Sequence, residues 1–222
     1  TPGTITGTVT FLDNGIAMGP GVALSGGTAQ ITTSTLTGGP HNITAVYSGD
    51  TNYSGSTSAV IVQGVNQAPT IISANSTTFI VLNTGQSFSV LTTGFPASTI
   101  TTGDPLPVGV TLSPAGVLSG TPATGTAGTY VLNLTASNGV APDATQVFTL
   151  TIAKRNQTIN FNAQPTAQYG TTFNINPTAT SGLAVTVTAS GGCSMVTATS
   201  VHMDSATVNC VLTASQAGNA DY

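Results

Sequence analysis

Apolar and polar residues alternate with a period of two in short stretches along the whole chain. Gly7–Phe11 runs into Asp13-Asn14-Gly15, and Thr28–Thr33 and Asn42–Tyr47 follow with the same period. Ser87–Leu91, Gly116–Gly120, Thr129–Thr135 and Gln146–Ile152 repeat it in the middle of the chain. Thr158–Phe161, Ala184–Thr188 and Val208–Ala214 carry it to the end. Alternation of this kind predicts half-buried strands, because successive side chains of a strand point to opposite faces. Asp-Asn-Gly between two such runs predicts a hairpin, since the turn that fits strand twist needs positive φ at its two central residues. No stretch has helical spacing. Many short strands separated by turns predict an all-β fold of sandwiches or barrels.

Two places interrupt the alternation. Gln63-Gly-Val-Asn-Gln-Ala-Pro69 combines Gly, Asn and Pro, and Ala153-Lys-Arg-Asn-Gln157 is the one basic spot. Cuts there predict three units, 1–65, 66–153 and 154–222, each of a size that suits a small sandwich. The units are not close copies. The first and third nevertheless share a Gly-x-x-x-Tyr ending, Gly49–Tyr53 and Gly218–Tyr222.

Charge changes the picture more than length does. Of 222 residues only 4% are charged, against roughly 25% in ordinary soluble domains. The six acids are all Asp, the two bases are Lys154 and Arg155, and the net charge is −4. Nothing here attracts nucleic acid or an anionic membrane. Mean hydropathy is +0.27, yet no apolar run approaches the roughly 20 residues of a membrane span. Thr, Ser, Asn and Gly therefore supply the polar surface. Abundant β-branched residues and low net charge argue against disorder.

Three sets of motifs carry a resemblance. Gly3–Phe11, Asp13-Asn14-Gly15, His41–Asp50 and Asn52-Tyr53 resemble the immunoglobulin-like repeats of large bacterial surface proteins. Leu106–Leu112, Gly116–Pro122, Gly128-Thr-Tyr130 and Ala136–Gly139 are similar to the immunoglobulin/cadherin-like domain of the same proteins. Gln157–Phe161, Tyr169-Gly170, Ala179–Gly182 and Cys193 with Cys210–Asn219 resemble another repeat type from those arrays. The resemblance implies tandem immunoglobulin-like β-sandwiches in a linear array, outside the cell or on its surface. It also implies that the first unit lacks its leading strands and that the third lacks its last strand. Both would then be completed by neighbouring repeats or by another subunit, because an open sandwich leaves backbone groups unpaired along an edge.

The candidate side chains are few. The exported character of the family implies a disulfide between Cys193 and Cys210, worth ~3 kcal/mol by loop-closure entropy. A metal site is the weaker alternative, with two thiols and no suitably spaced partners. His41, at a strand start where the family carries His, reads as structural. His202 beside Met203 and Asp204 invites a catalytic triad, but no Gly-x-Ser-x-Gly elbow accompanies it. Asp13, Asp50, Asp104, Asp143, Asp204 and Asp221 are scattered singly. Calcium needs several converging oxygens. Asp104 and Asp143 are its first candidates, with turn-capping the alternative.

Lys154 would need burial beside an acid to form a Lys–Asn isopeptide, and its place at a boundary predicts solvation. Asn42, Asn52, Asn75, Asn133 and Asn156 open glycosylation triplets that a Thr-rich chain also produces by chance. Thr-x-Thr runs suit solvent-facing strand positions and lack the regular spacing of an ice-binding face. Without Trp, no sugar-stacking platform is apparent.

The expectation is a non-enzymatic chain with no cofactor and no catalytic or metal residues. It is expected to be a structural repeat segment of an extracellular filament or surface protein, or else the stalk or binding module of a bacterial adhesin. Self-association or neighbouring repeats are the expected partners, with no nucleic acid and no membrane insertion. No residue set identifies a surface protein or glycan ligand.

Overall fold

Asn14 and Gly15 take φ of 49° and 83°, the positive pair that a tight hairpin demands. They join β1 (Thr8–Asp13) to β2 (Ile16–Ala17) in the computed structural model, which describes residues 3–162 and 166–222. No residue described there is helical. β3 (Val22–Ala23) returns to pair with the start of β1. β4 (Gly39–Tyr47) runs antiparallel to β1, with Phe11 opposite Ala45. β5 (Ser56–Thr57) and β6 (Ile61–Val65) both pair with β4. These strands make one sheet. Period-two geometry puts Val9, Phe11, Ile43, Ala45, Tyr47 and Ile61 on one face of it. Among its described residues only His41 is fully buried. Ile61 and Val62 remain 67% and 66% exposed.

The strand expected over Thr28–Thr33 does not form. The segment makes one isolated bridge, Ser25 to Thr28, and otherwise runs without a ladder. Its alternation is that of a strand, but no strand lies beside it among the described residues. An extended segment without a partner gives its N–H and C=O groups to water instead.

The next nine strands build two opposed layers. They are β7 (Gln67–Ile71), β8 (Ser76–Ile80), β9 (Gln86–Ser89), β10 (Thr92–Phe95), β11 (Thr99–Thr102), β12 (Val110–Leu112), β13 (Val117–Gly120), β14 (Gly128–Ser137) and β15 (Ala144–Ala153). One sheet has the order β11-β14-β15-β8, with β8 parallel to β15; another is β12-β13-β9, and β10 pairs with β7. Leu132, Leu134 and Ala136 alternate along β14; Leu132 lies opposite Phe148 on β15, and Leu150 lies opposite Tyr130. They meet Phe79, Val81, Val90, Ile100, Val110 and Leu118 in a continuous core. Phe88 and Phe148 lie 5.0 Å apart, tilted by 47°. Each fully buried side chain of this size contributes ~1.5–3 kcal/mol.

The last seven strands are β16 (Ile159–Asn160), β17 (Thr172–Asn174), β18 (Thr178–Ala179), β19 (Thr186–Gly191), β20 (Cys193–Thr197), β21 (Ser200–Met203) and β22 (Cys210–Ser215). They pair as β16-β18, β17-β21-β20 and β19-β22. A smaller core forms from Ile175, Val187, Cys193 and Val201, with Phe161, Phe173, Met203 and Leu212 half-buried around it.

Candidate functional site

The sulfurs are the simplest case. Cys193 opens β20 and Cys210 opens β22, with the β20–β21 hairpin between them in sequence. Their Cα atoms lie 5.1 Å apart and a disulfide joins them, inside the range a bridge requires. Cys193 is buried in the third core. The pair staples the β17-β21-β20 sheet to the β19-β22 pair.

His41 is held from both sides. Its Nδ1 lies 2.8 Å from Asp13 Oδ2 and its Nε2 lies 2.8 Å from the Thr37 carbonyl oxygen. Both partners are acceptors, so both ring nitrogens donate, which is the imidazolium form. The Thr37 carbonyl and the Asp13 carboxylate raise its pKa above the ordinary histidine value. The cation ties the unladdered segment before β4 to the β1–β2 turn. A cavity of ≈ 280 Å³ lies beside it, bounded by Ile16, Met18 and Leu36.

His202 comes close to a triad without completing one. Its Nδ1 lies 3.1 Å from Thr172 Oγ1, across the β17–β21 pair. Asp204 Oδ1 is 3.9 Å from Nε2, too far for a hydrogen bond. Thr172 is solvent-exposed. Catalysis would also require oxyanion donors aimed at a bound carbonyl. This geometry is that of a polar cross-strand contact on an open sheet.

The acids do not converge. Asp50 caps its own turn, accepting from Thr6 N, Asn52 N and Tyr53 N at 2.8 Å each. Those backbone donors hold its carboxyl down to about 2. Asp104 accepts from Asn133 N at 2.5 Å and from Asn133 Nδ2 at 3.1 Å, and these lower its pKa. It thus braces β14 from the end of β11. Asp143 lies exposed on the β14–β15 loop. Among the described residues no three His, Cys or acidic side chains gather as a metal site would need.

Lys154 is exposed as expected, but it has partners: its Nζ donates to the carbonyls of Asn219 and Tyr222. Arg155 Nη1 donates to the Tyr222 hydroxyl at 3.0 Å, and the guanidinium lies 5.4 Å from that ring's centroid. Asp221, 7% exposed, reaches out of the third unit to Thr124 Oγ1 and to Gly125 N, the latter at 2.6 Å. The shared Gly-x-x-x-Tyr ending hinted at a common turn. It gave no sign that one copy grips a loop nearly a hundred residues away in sequence.

A cavity of ≈ 760 Å³ in the third unit runs along β22. Phe161, Tyr169, Phe173, Met203 and Leu212 line it. It is open to solvent and carries no ionisable cluster.

Residues 1–66 match the family "Bacterial Ig-like domain (group 3)", and residues 59–153 match the family "Putative Ig domain". No curated protein sequence matches the chain. Among solved structures, the eight N-terminal Ig domains of Down Syndrome Cell Adhesion Molecule align over 96% of the chain at 12% identity with a TM-score of 0.37. The chain spans 33% of that molecule's length. Extracellular domains 3–5 of Drosophila OTK align over 97% of this chain and 83% of theirs, at 13% identity and a TM-score of 0.35. Sidekick-1 immunoglobulin domains 1–4 align over 94% and 66%, at 17% identity and a TM-score of 0.34.

Proposed function

We propose that the chain, whose residues 1–66 and 59–153 match immunoglobulin-like families, is a non-enzymatic structural segment of an extracellular filament or cell-surface protein. In this reading residues 1–65, 66–153 and 154–222 are successive units of a linear array. The observation that carries it is the outer face of the β11-β14-β15-β8 sheet. Cross-strand pairing lines up Thr78, Thr151 and Thr129 in one row and Thr145, Thr135 and Thr101 in another. Val131 and Val147 stand between them, exposed. No ionisable side chain stands in these rows, and Asp104 beside them is engaged by Asn133. Such a face packs against a copy of itself without like-charge repulsion, whereas an ordinary charged surface resists it.

Two features support assembly through strands. Among the described residues β22 pairs only with β19, and its Cys210, Val211 and Leu212 help line the ≈ 760 Å³ cavity. In the middle unit β14 is paired on both sides, by β11 and by β15. A strand from a neighbouring unit of the same protein, alternating apolar and polar, fits that slot by edge addition. The Cys193–Cys210 bridge supports an oxidising, extracellular or cell-surface location. The second reading is an adhesin stalk, favoured by the contacts of Lys154, Arg155 and Asp221 at the second joint, which stiffen a spacer.

Electron microscopy of the native material at the cell surface tests the proposal. Ordered fibres with a repeat matching one three-unit length are expected. Isolated stalks without lateral or end-to-end order would overturn the filament and leave the stalk.

A further inference from the structure

One turn design occurs twice, and only one copy reaches a neighbour. Gly49 and Gly218 both sit at φ 79°, where a side chain would be strained. Asp50 N donates to the Tyr53 carbonyl at 2.8 Å, and Asn219 N donates to the Tyr222 carbonyl at 3.1 Å. Asp50 Oδ1 accepts from Asn52 N and Tyr53 N. Asn219 Oδ1 does the same for Asp221 N at 2.8 Å and Tyr222 N at 3.0 Å. In the first unit the second carboxylate oxygen of Asp50 turns back to Thr6. In the third unit the fourth position of the turn is Asp221, and its side chain leaves the unit.

We propose that Asp221 is a latch that fixes the third unit against the middle one, seated on Thr124 and Gly125 of the β13–β14 loop. That loop is held independently of the latch. Thr126 Oγ1 donates to the Ala123 carbonyl at 2.6 Å, and Leu82 N donates to the Pro122 carbonyl at 2.8 Å. From the other side Arg155 N donates to the Asp221 carbonyl at 2.7 Å, and Lys154 and Arg155 hold Asn219 and Tyr222. The two bases of the chain therefore both sit on this turn. The β13–β14 loop presents no titratable group to the carboxylate. The linker presents Lys154 and Arg155, and the turn itself presents Tyr222.

Donation from Thr124 and Gly125, with Lys154 nearby, lowers the Asp221 pKa. The latch is therefore engaged above the ordinary carboxylate range and is released as pH falls through its lowered value. A protonated carboxyl brings an O–H among donors and loses the pull of Lys154.

The test uses the full chain at neutral pH. Hydrogen exchange at the Gly125 amide and ¹⁵N relaxation of the two units are measured for wild type, Asp221→Ala and Thr124→Val. Wild type is expected to show a protected Gly125 amide and one shared tumbling time. Asp221→Ala is expected to raise Gly125 exchange on the order of tenfold and to split the tumbling times, with the Leu150 and Val201 amides unchanged. Thr124→Val, which leaves the third unit's own turn untouched, is expected to do the same more weakly. If Asp221→Ala unfolds the third unit, Thr124→Val decides alone. Unchanged Gly125 exchange and unchanged tumbling in the deciding variant would overturn the latch.

Discussion

The first sheet and the middle sandwich are written in the same alternating pattern, yet they are held together by different forces. In the middle unit two sheets close on Phe79, Leu132, Leu134, Phe148 and Leu150, each nearly free of solvent contact. In the first unit one sheet presents Val9, Phe11, Ile43 and Ile61 on a face that is only partly covered, and among the described residues the one fully buried side chain is His41. Alternation specifies which side chains share a face. It stabilises only where a second layer removes that face from water. The middle unit therefore rests on non-directional burial. The first rests more on directional contacts, the His41–Asp13 pair and the Asp50 cap, and these respond to pH.

The largest break in that comparison is a cavity. Phe148→Ala is expected to destabilise the middle unit by ~3–5 kcal/mol. Phe11→Ala, at a half-covered site of the first sheet, is expected to cost well under that. Denaturant unfolding followed by amide signals from each unit checks the ratio. Equal losses would mean that the first sheet buries Phe11 as deeply as a sandwich does.

Next in size is the staple of the third unit. Cys193→Ser, or reduction of the bridge, is expected to remove ~3 kcal/mol from that unit by loop-closure entropy. The middle unit's midpoint should not move, because its core shares no residue with the third. Thermal scans with and without reductant read this directly.

The pH responses of the first unit are smaller and opposite in sign. The folded state raises the His41 pKa, so its contribution is fully present below the ordinary value near ~6.5 and is lost as pH rises through the folded one. His41→Gln should abolish that alkaline loss. The folded state lowers the Asp50 pKa to about 2, so its contribution is present above the ordinary carboxylate value and is lost as pH falls toward 2. Asp50→Ala should remove the acid dependence and expose the Thr6, Asn52 and Tyr53 amides to exchange. NMR titration of the His41 ring and of those amides separates the two.

What could be read from the sequence was local. The Asp13-Asn14-Gly15 hairpin is fixed by φ requirements that three residues carry by themselves, and the Leu132/Leu134 and Phe148/Leu150 alternations point at a core without naming its partner. The joining of Cys193 to Cys210 followed from the compartment the resemblance implied. Thr28–Thr33 failed because a strand needs a neighbour, and period two contains no information about whether one is there. The His41 cation and the Asp221 contact were illegible for a related reason. Each depends on groups far along the chain, Asp13 for the first and Thr124 with Gly125 for the second. Each partner alone has an ordinary turn role.

The smallest expected effect on stability sharpens the comparison from the outside. Thr151 faces away from the middle core, in a row with Thr78 and Thr129. Thr151→Lys should change the unfolding free energy by no more than ~0.5 kcal/mol, since it touches neither the core nor a cap. It nevertheless places a charge in a row of that face that carries none. If that face packs against copies of itself, opposed lysines repel, and the variant should form fewer lateral contacts at low salt, recovering as salt screens them. Denaturation fixes the first quantity and electron microscopy at two ionic strengths the second. An unchanged fold with unchanged lateral order would move assembly away from this sheet and toward the strand edges.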